Sequence, residues 1–204
     1  MGRARFRMWN GTVRGLLCRR DAHRIVGVDL SENMIAYART HHAADNIVYQ
    51  RVAVEDVDFT DGLFDLVVSS FVMHHVADYG AVVQKVYQWL RPGGRFVYSC
   101  EHPIVTAQQP GGGHWLSDDR GQHRAWCVDN YGDAGRREQT WFIEGVIKYH
   151  RALATLLNGL MDHGFAIDRV LEPQATREAI QQRPALVAEG RRPPVLVVAT
   201  HKLP

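Results

Sequence analysis

Long apolar runs, paired cysteines and a surplus of either charge are all missing from this 204-residue chain. No stretch approaches the roughly 18 consecutive apolar residues that would cross a membrane. The basic N-terminus carries no apolar core segment of the kind that makes a signal peptide. Lysine and arginine total 24 against 22 acids, a net charge of +2, so no electrostatic footprint for nucleic acid is present. The three cysteines, Cys18, Cys100 and Cys127, are odd in number and show no close metal-ligand spacing. That usage argues against a disulfide framework or a metal site and suits a reducing compartment, the cytoplasm. With 46% apolar and 23% charged residues, the composition is that of a soluble protein long enough for one domain with a full core.

The most informative stretch runs from His23 to Arg39. Ile25, Val26 and Val28, interrupted only by Gly27, are apolar on both faces, the pattern of a buried parallel strand. Asp29 ends it, Ser31 is placed to cap a helix, and Met34, Ile35 and Ala38 follow at helical spacing. An acid at the carboxyl end of such a strand can accept hydrogen bonds from both ribose hydroxyls of a nucleotide cofactor. It can equally do no more than assist the helix N-terminus, and the stretch alone leaves both readings open.

The same alternation continues. Strands are expected at Ile47–Val54, at Phe64–Ser70 and at Arg95–Cys100, and a helix over Asp78–Leu90 with Val82, Val83, Val86 and Leu90 at helical spacing. The helix stops at Arg91-Pro92-Gly93-Gly94. Strands and helices alternating at this pace imply right-handed βαβ units on a parallel sheet. From Glu101 to about Trp141 no period is sustained, which marks a functional loop. Helical periodicity returns over Phe142–Gly164, and Phe165–Glu172 and Val195–Thr200 can pair as an antiparallel hairpin at a sheet edge. Residues 1–22 offer at most a short helix over about Thr12–Arg20, with no apolar strand before it.

In order along the chain come V-G-V-D-L-S-E-N-M, then V-E-D-V-D-F with F-D-L-V-V-S-S-F-V-M-H-H-V, then L-R-P-G-G-R-F-V-Y-S, and last G-F with the two closing strands. This series resembles a class I S-adenosylmethionine-dependent methyltransferase of the small-molecule kind, from about Ala22 onward. The resemblance implies an α/β, Rossmann-like parallel sheet with helices on both faces and a C-terminal antiparallel hairpin, in one domain spanning 1–204 with a substrate-side insertion at 101–150. Its cofactor would be S-adenosylmethionine. Asp29 would hold the ribose, Leu30 would pack on adenine, and Val54 with Glu55 or Asp56 would meet the adenine edge, although Ala53 stands where the family often has an acid. Ser69, Ser70 and Phe71 would line the methionine part. His75 falls where many relatives have a histidine near the site; serving as a base and satisfying a loop carbonyl are both open to it.

The start departs from the family, which opens with an apolar strand and a glycine-rich loop. The corresponding place holds Trp9-Asn10-Gly11-Thr12-Val13-Arg14-Gly15, so the first strand is expected to be missing or replaced. A gap there would leave buried backbone groups unpaired at about 1–3 kcal/mol each. A chain truncated or frame-shifted upstream of about Ala22, binding cofactor poorly, is the corresponding expectation.

Methyl transfer from a sulfonium asks mainly for alignment and water exclusion, with a base only when the acceptor arrives protonated. His75, His102 and His150 are the candidate bases. Glu101, Trp141, Lys148, Tyr149 and Arg151 are candidates for holding a small polar or aromatic acceptor, the last three on a helix facing the site. Two alternatives differ in class. A nicotinamide-dependent dehydrogenase would share the strand-end acid, but the closing hairpin and the absence of a Tyr-x-x-x-Lys spacing, Tyr149 being followed by Leu153, speak against it. A truncated or degenerate, non-catalytic methyltransferase-like protein would keep the fold without binding cofactor. Neither a nucleic acid nor a membrane is expected as partner.

Overall fold

The computed structural model describes the backbone of residues 4–8 and residues 23–108, 114–139 and 144–204 in full. The helix expected over Thr12–Arg20 lies outside them. Strand β1 (Ala4–Met8) pairs in parallel with β2 (Arg24–Asp29) on one side, Phe6 opposite Val26, and with β4 (Phe64–Ser70) on the other, Phe6 opposite Val67. The central position, its usual strand expected to be missing or replaced, is filled by Ala-Arg-Phe-Arg-Met. Ladder pairing is made by backbone groups, so β1 satisfies the facing edges of β2 and β4 although its sequence is not the apolar run that marks such strands.

Strand β3 (Ile47–Arg51) lies outside β2, and β5 (Leu90–Glu101) lies beyond β4, both parallel to their neighbours. Strand β11 (Val195–Lys202) runs antiparallel to β5, and β10 (Phe165–Leu171) antiparallel to β11, so the sheet order is β10-β11-β5-β4-β1-β2-β3. The expected closing hairpin is present at that edge. The strand order reverses between β1 and β4, and a crevice opens at the carboxyl ends of strands at such a switch point.

Local chemistry sets the elements. Helix α1 (Glu32–His41) starts where Ser31 Oγ accepts the Met34 amide at 3.3 Å, and α2 (Tyr79–Trp89) where Asp78 Oδ1 accepts the Ala81 amide at 2.9 Å. Gly27 interrupts an otherwise β-branched strand because the Tyr49 ring lies over it; a Cβ there would meet the ring at 2.8 Å. Arg91-Pro92-Gly93-Gly94, expected only to stop the helix, opens β5, and Gly93, at φ +72°, lies where the register with β4 shifts. Phe64, Val67, Trp89, Phe96, Tyr98 and Leu196 are wholly buried between sheet and helices.

Two expectations need correcting in the second half. The region after β5 is not structureless: it holds a short helix α3 (Pro103–Thr106) and two antiparallel pairs, β6 (Trp115–Ser117) with β7 (His123–Trp126), and β8 (Gly135–Gln139) with β9 (Val146–His150). Helix α4 covers only Leu153–Asp162, so Lys148, Tyr149 and His150 lie on a strand and Arg151 just beyond it. The leucines that set the helical period lie within α4; the polar residues before them hold β9 instead. The Tyr79 hydroxyl donates to the Leu156 carbonyl at 2.9 Å and meets the Tyr98 hydroxyl at 3.2 Å, which fixes α4 to α2 and β5. Helix α5 (Arg177–Gln182) and a 3₁₀ segment (Pro184–Arg191) precede β11, and Arg191 donates to the His123 and Arg124 carbonyls at 2.6 Å each. Among the described residues no helix is long and apolar enough to cross a membrane.

Candidate active site

A cavity of about 860 Å³ opens at the carboxyl ends of β2 and β4 and beyond β3, beside the switch point. Asp29, Leu30, Val54, Glu55, Ser70, Phe71 and His75 all line it. One oxygen of Asp29 accepts the Ser31 amide at 2.8 Å; the other has no partner among the described residues. The hydrogen bond to the helix end is therefore made, and the second oxygen is left facing the cavity. Burial pushes its carboxyl above the usual range, and the Ser31 hydrogen bond opposes that. Leu30 is two-thirds exposed and, with Val54, makes an apolar wall next to this acid. Phe71 has φ +56°, a left-handed conformation unusual for an aromatic residue, and its amide donates to the Ser99 carbonyl at 2.9 Å. Backbone held this way is strained for a residue with a side chain.

His75 reaches the same cavity. Its Nδ1 donates to the Ile147 carbonyl at 2.7 Å, and its Nε2 has no partner among the described residues. The His74 carbonyl accepts the Tyr149 amide at 2.8 Å, and the Arg151 guanidinium donates to the Val76 and Ala77 carbonyls at 2.8 and 2.7 Å. Strand β9 and Arg151 thus clip the loop that carries His75 onto the end of the sheet. Burial lowers the pKa of Arg151 from its ordinary value.

Other candidates are placed elsewhere. Ser69 is buried on the sheet face opposite Ser70, as the two-residue period of a strand requires, and does not line the cavity. Asp56 is exposed in the turn after Val54 and does not line it either. His102 donates from Nε2 to Glu172 at 2.9 Å and accepts the Ile104 amide at Nδ1, and His150 donates to the Tyr131 carbonyl at 3.0 Å and accepts the Thr106 hydroxyl at 2.8 Å. Both nitrogens of each ring are engaged, burial lowers the pKa of each, and neither ring lines the cavity, so as they stand they anchor the insertion. Lys148 is buried, with its ammonium on Glu101 at 2.6 Å and Gln139 at 2.7 Å. Trp141 lies outside the described residues, as does the segment aligned with the glycine-rich loop. Met34 and Val76, not named as site residues from the sequence, also line the cavity, as does Ala53, which stands where the family often has an acid.

A doubly wound parallel sheet with an acid, an apolar wall and a strained turn at its switch point defines a nucleotide-cofactor fold. The family model described as "Methyltransferase domain" matches residues 10–98, starting upstream of Ala22 where the motif series begins. A solved structure from Mesorhizobium loti, an S-adenosylmethionine-dependent methyltransferase, is 36% identical, with a TM-score of 0.85 over 98% of this chain and 91% of that one. A second, from Listeria monocytogenes and assigned to the same class, is 30% identical with a TM-score of 0.88 over 99% and 90%. An uncharacterised protein of Haemophilus influenzae is 27% identical over 194 residues, 92% of this chain and 76% of that one. A ubiquinone biosynthesis O-methyltransferase of Mesorhizobium japonicum is 38% identical over 85 residues, and the matched stretch spans 34% of its length. The chain belongs to the class I S-adenosylmethionine-dependent methyltransferases, and S-adenosylmethionine is its cofactor.

The residues present fit that group. The second oxygen of Asp29 would accept ribose hydroxyls, Leu30 and Val54 would give an adenine an apolar contact, and Glu55, beside Val54, would accept from its exocyclic amine.

Proposed function

We propose that this chain transfers a methyl group from S-adenosylmethionine to a small-molecule acceptor by direct in-line displacement, with His75 as the general base. The observation that carries the reading is that Asp29 and Leu30 on one side and the free lone pair of His75 on the other line a single cavity. The cofactor supplies a sulfonium methyl that is already activated. Asp29, Leu30, Val54 and Glu55 would hold it by the ribose and adenine, while Ser70 and Phe71 border its methionine end. Nε2 of His75 takes the acceptor's proton, and the Ile147 carbonyl stabilises the charge that then appears on the ring. Ring and carbonyl hold this arrangement before any ligand arrives, so little reorganisation is left for the reaction.

The whole chain acts in this reading as one methyltransferase domain, with residues 101–150 forming the acceptor side. The quinone methyltransferase relative supports a small acceptor, the near-balanced charge argues against nucleic acid, and the cysteine usage supports a reducing compartment such as the cytoplasm. Transfer of labelled methyl from S-adenosylmethionine to a panel of small phenols, quinols and amines tests it. Transfer to at least one acceptor that is lost in His75→Gln is expected. Cofactor binding with no transfer to any of them would favour the non-catalytic alternative.

A further inference from the structure

Behind the cofactor cavity lies a second, much smaller one of about 10 Å³, lined among others by His74, Cys100, Glu101, Tyr149 and Arg151. The adjacent rings of His74 and His75, with centroids 4.2 Å apart and planes tilted by 42°, link the two: His75 lines the large cavity and His74 the small one. The small cavity holds one group the size of a hydroxyl.

Its walls are not neutral bystanders. Glu101 ends β5, and one of its oxygens accepts the Lys148 ammonium at 2.6 Å. Its other oxygen is buried and has no hydrogen-bond partner among the described residues. A carboxylate oxygen left in that state costs free energy on folding, so its retention calls for a donor that is supplied from outside. The opposite polarity is also on offer. His74 accepts the Glu101 amide at Nδ1, 3.3 Å away, and burial with the nearby charges of His75 and Lys148 pushes its pKa down to about 2. The ring is therefore neutral with its proton on Nε2, a donor. The two cations near this spot are already committed, Lys148 to Glu101 and Gln139, and Arg151 to the Val76 and Ala77 carbonyls. One carboxylate with two cations beside it leaves the surroundings net positive, which disfavours a cationic guest.

We infer that this pocket is a specificity subsite of the methyl acceptor and that the free oxygen of Glu101 takes a hydrogen bond from a neutral hydroxyl group on it. The inference rests on the methyl-transfer reading above and narrows it to hydroxyl-bearing acceptors. A hydroxyl both donates and accepts, matching Glu101 and His74 together, whereas an ammonium only donates. An anionic group carries no proton to donate to the Glu101 oxygen.

Methanol and methylammonium, equal in size and different in charge, are the probes. Each is titrated into the chain with and without S-adenosylhomocysteine, following the backbone amide resonances of Glu101 and His74. Saturable shifts are expected from methanol, with methylammonium weaker by roughly tenfold. Glu101→Gln, which puts a donor where the acceptor oxygen stands, is expected to weaken methanol roughly tenfold. Its affinity for S-adenosylhomocysteine reports whether the fold is intact. If that variant fails to fold, the ratio of the two probes on the unaltered chain decides. Equal or tighter binding of methylammonium, no saturable shift from either probe, or unchanged methanol binding in a folded Glu101→Gln would each overturn the subsite. Failure of the unaltered chain to bind S-adenosylhomocysteine is read separately and counts against the methyl-transfer reading.

Discussion

Replacing Asp29 separates the cofactor role of this acid from its local structural one. In Asp29→Ala two things go: the hydrogen bond from the Ser31 amide and the free oxygen in the cavity. The first is an ordinary half-exposed bond, so about 0.5–1.5 kcal/mol of stability is lost. The second removes at least one hydrogen bond from a ribose hydroxyl to a charged group, about 1.5–3 kcal/mol. That corresponds to a loss of roughly 10- to 150-fold in affinity for S-adenosylmethionine. Asp29→Asn keeps an oxygen for Ser31 but turns the other position into a donor, so it is expected to lose affinity like Ala while melting like the unaltered chain. Isothermal titration with S-adenosylhomocysteine and thermal unfolding of both variants provide the comparison. Unchanged affinity in Asp29→Asn would refute the ribose contact, and loss of affinity only in the variant that is also unstable would reduce Asp29 to a helix-end residue.

Three further outcomes follow from the geometry. His75→Gln should slow methyl transfer by roughly 10²- to 10⁴-fold with cofactor affinity little changed, since the ring lines the cavity as a proton acceptor and makes no direct contact required for ribose binding; a large loss of cofactor affinity would contradict this. Lys148→Met leaves the buried Glu101 carboxylate without its cation and should cost about 3–5 kcal/mol in urea unfolding, whereas an effect below about 1 kcal/mol would show the pair to be hydrated. Unfolded His74 takes its proton near 6.5 but the folded ring only at about 2, so the unfolded state binds more protons between those values. Stability is therefore held above pH 6.5 and falls as pH drops below it, by up to about 1.4 kcal/mol per pH unit. From pH 6.5 to 5 that is about 2 kcal/mol. His102 and His150, lowered in the same direction, add to it, and a flat stability profile over this window would refute the buried neutral rings.

How much was legible beforehand depends on which physical signal each part carries. Strand β2, helix α1 and the acid between them were readable because a β-branched run, a strand-end acid and a serine cap are each local signals. The antiparallel edge of β10 and β11 was readable for the same reason. Strand β1 was not, because a central parallel strand is recognised by apolar residues on both faces and Ala-Arg-Phe-Arg-Met lacks them; its place is set by backbone pairing with β2 and β4. Strand β9 was absorbed into the helical period of Leu153, Leu156 and Leu160, since nothing in Lys-Tyr-His-Arg opposes a helix locally. In the site, position within a motif separated neither Ser69 from Ser70 nor His75 from His102 and His150. The first pair differs only by the face of a strand, and the histidines differ only by which ring nitrogens are already engaged. Glu101 was named from its place after the fourth expected strand, but the unpaired oxygen on which the subsite proposal rests is recorded by no sequence pattern.

The central claim is that the cavity beside Asp29 is a working S-adenosylmethionine site in this chain. A crystal structure of the 204-residue chain with S-adenosylhomocysteine tests it most directly. The ribose hydroxyls are expected within hydrogen-bond distance of Asp29, with the adenine against Leu30 and Val54 and the sulfur on the His75 side of the cavity. A ligand bound elsewhere, or a cavity left empty at saturating ligand, would contradict it.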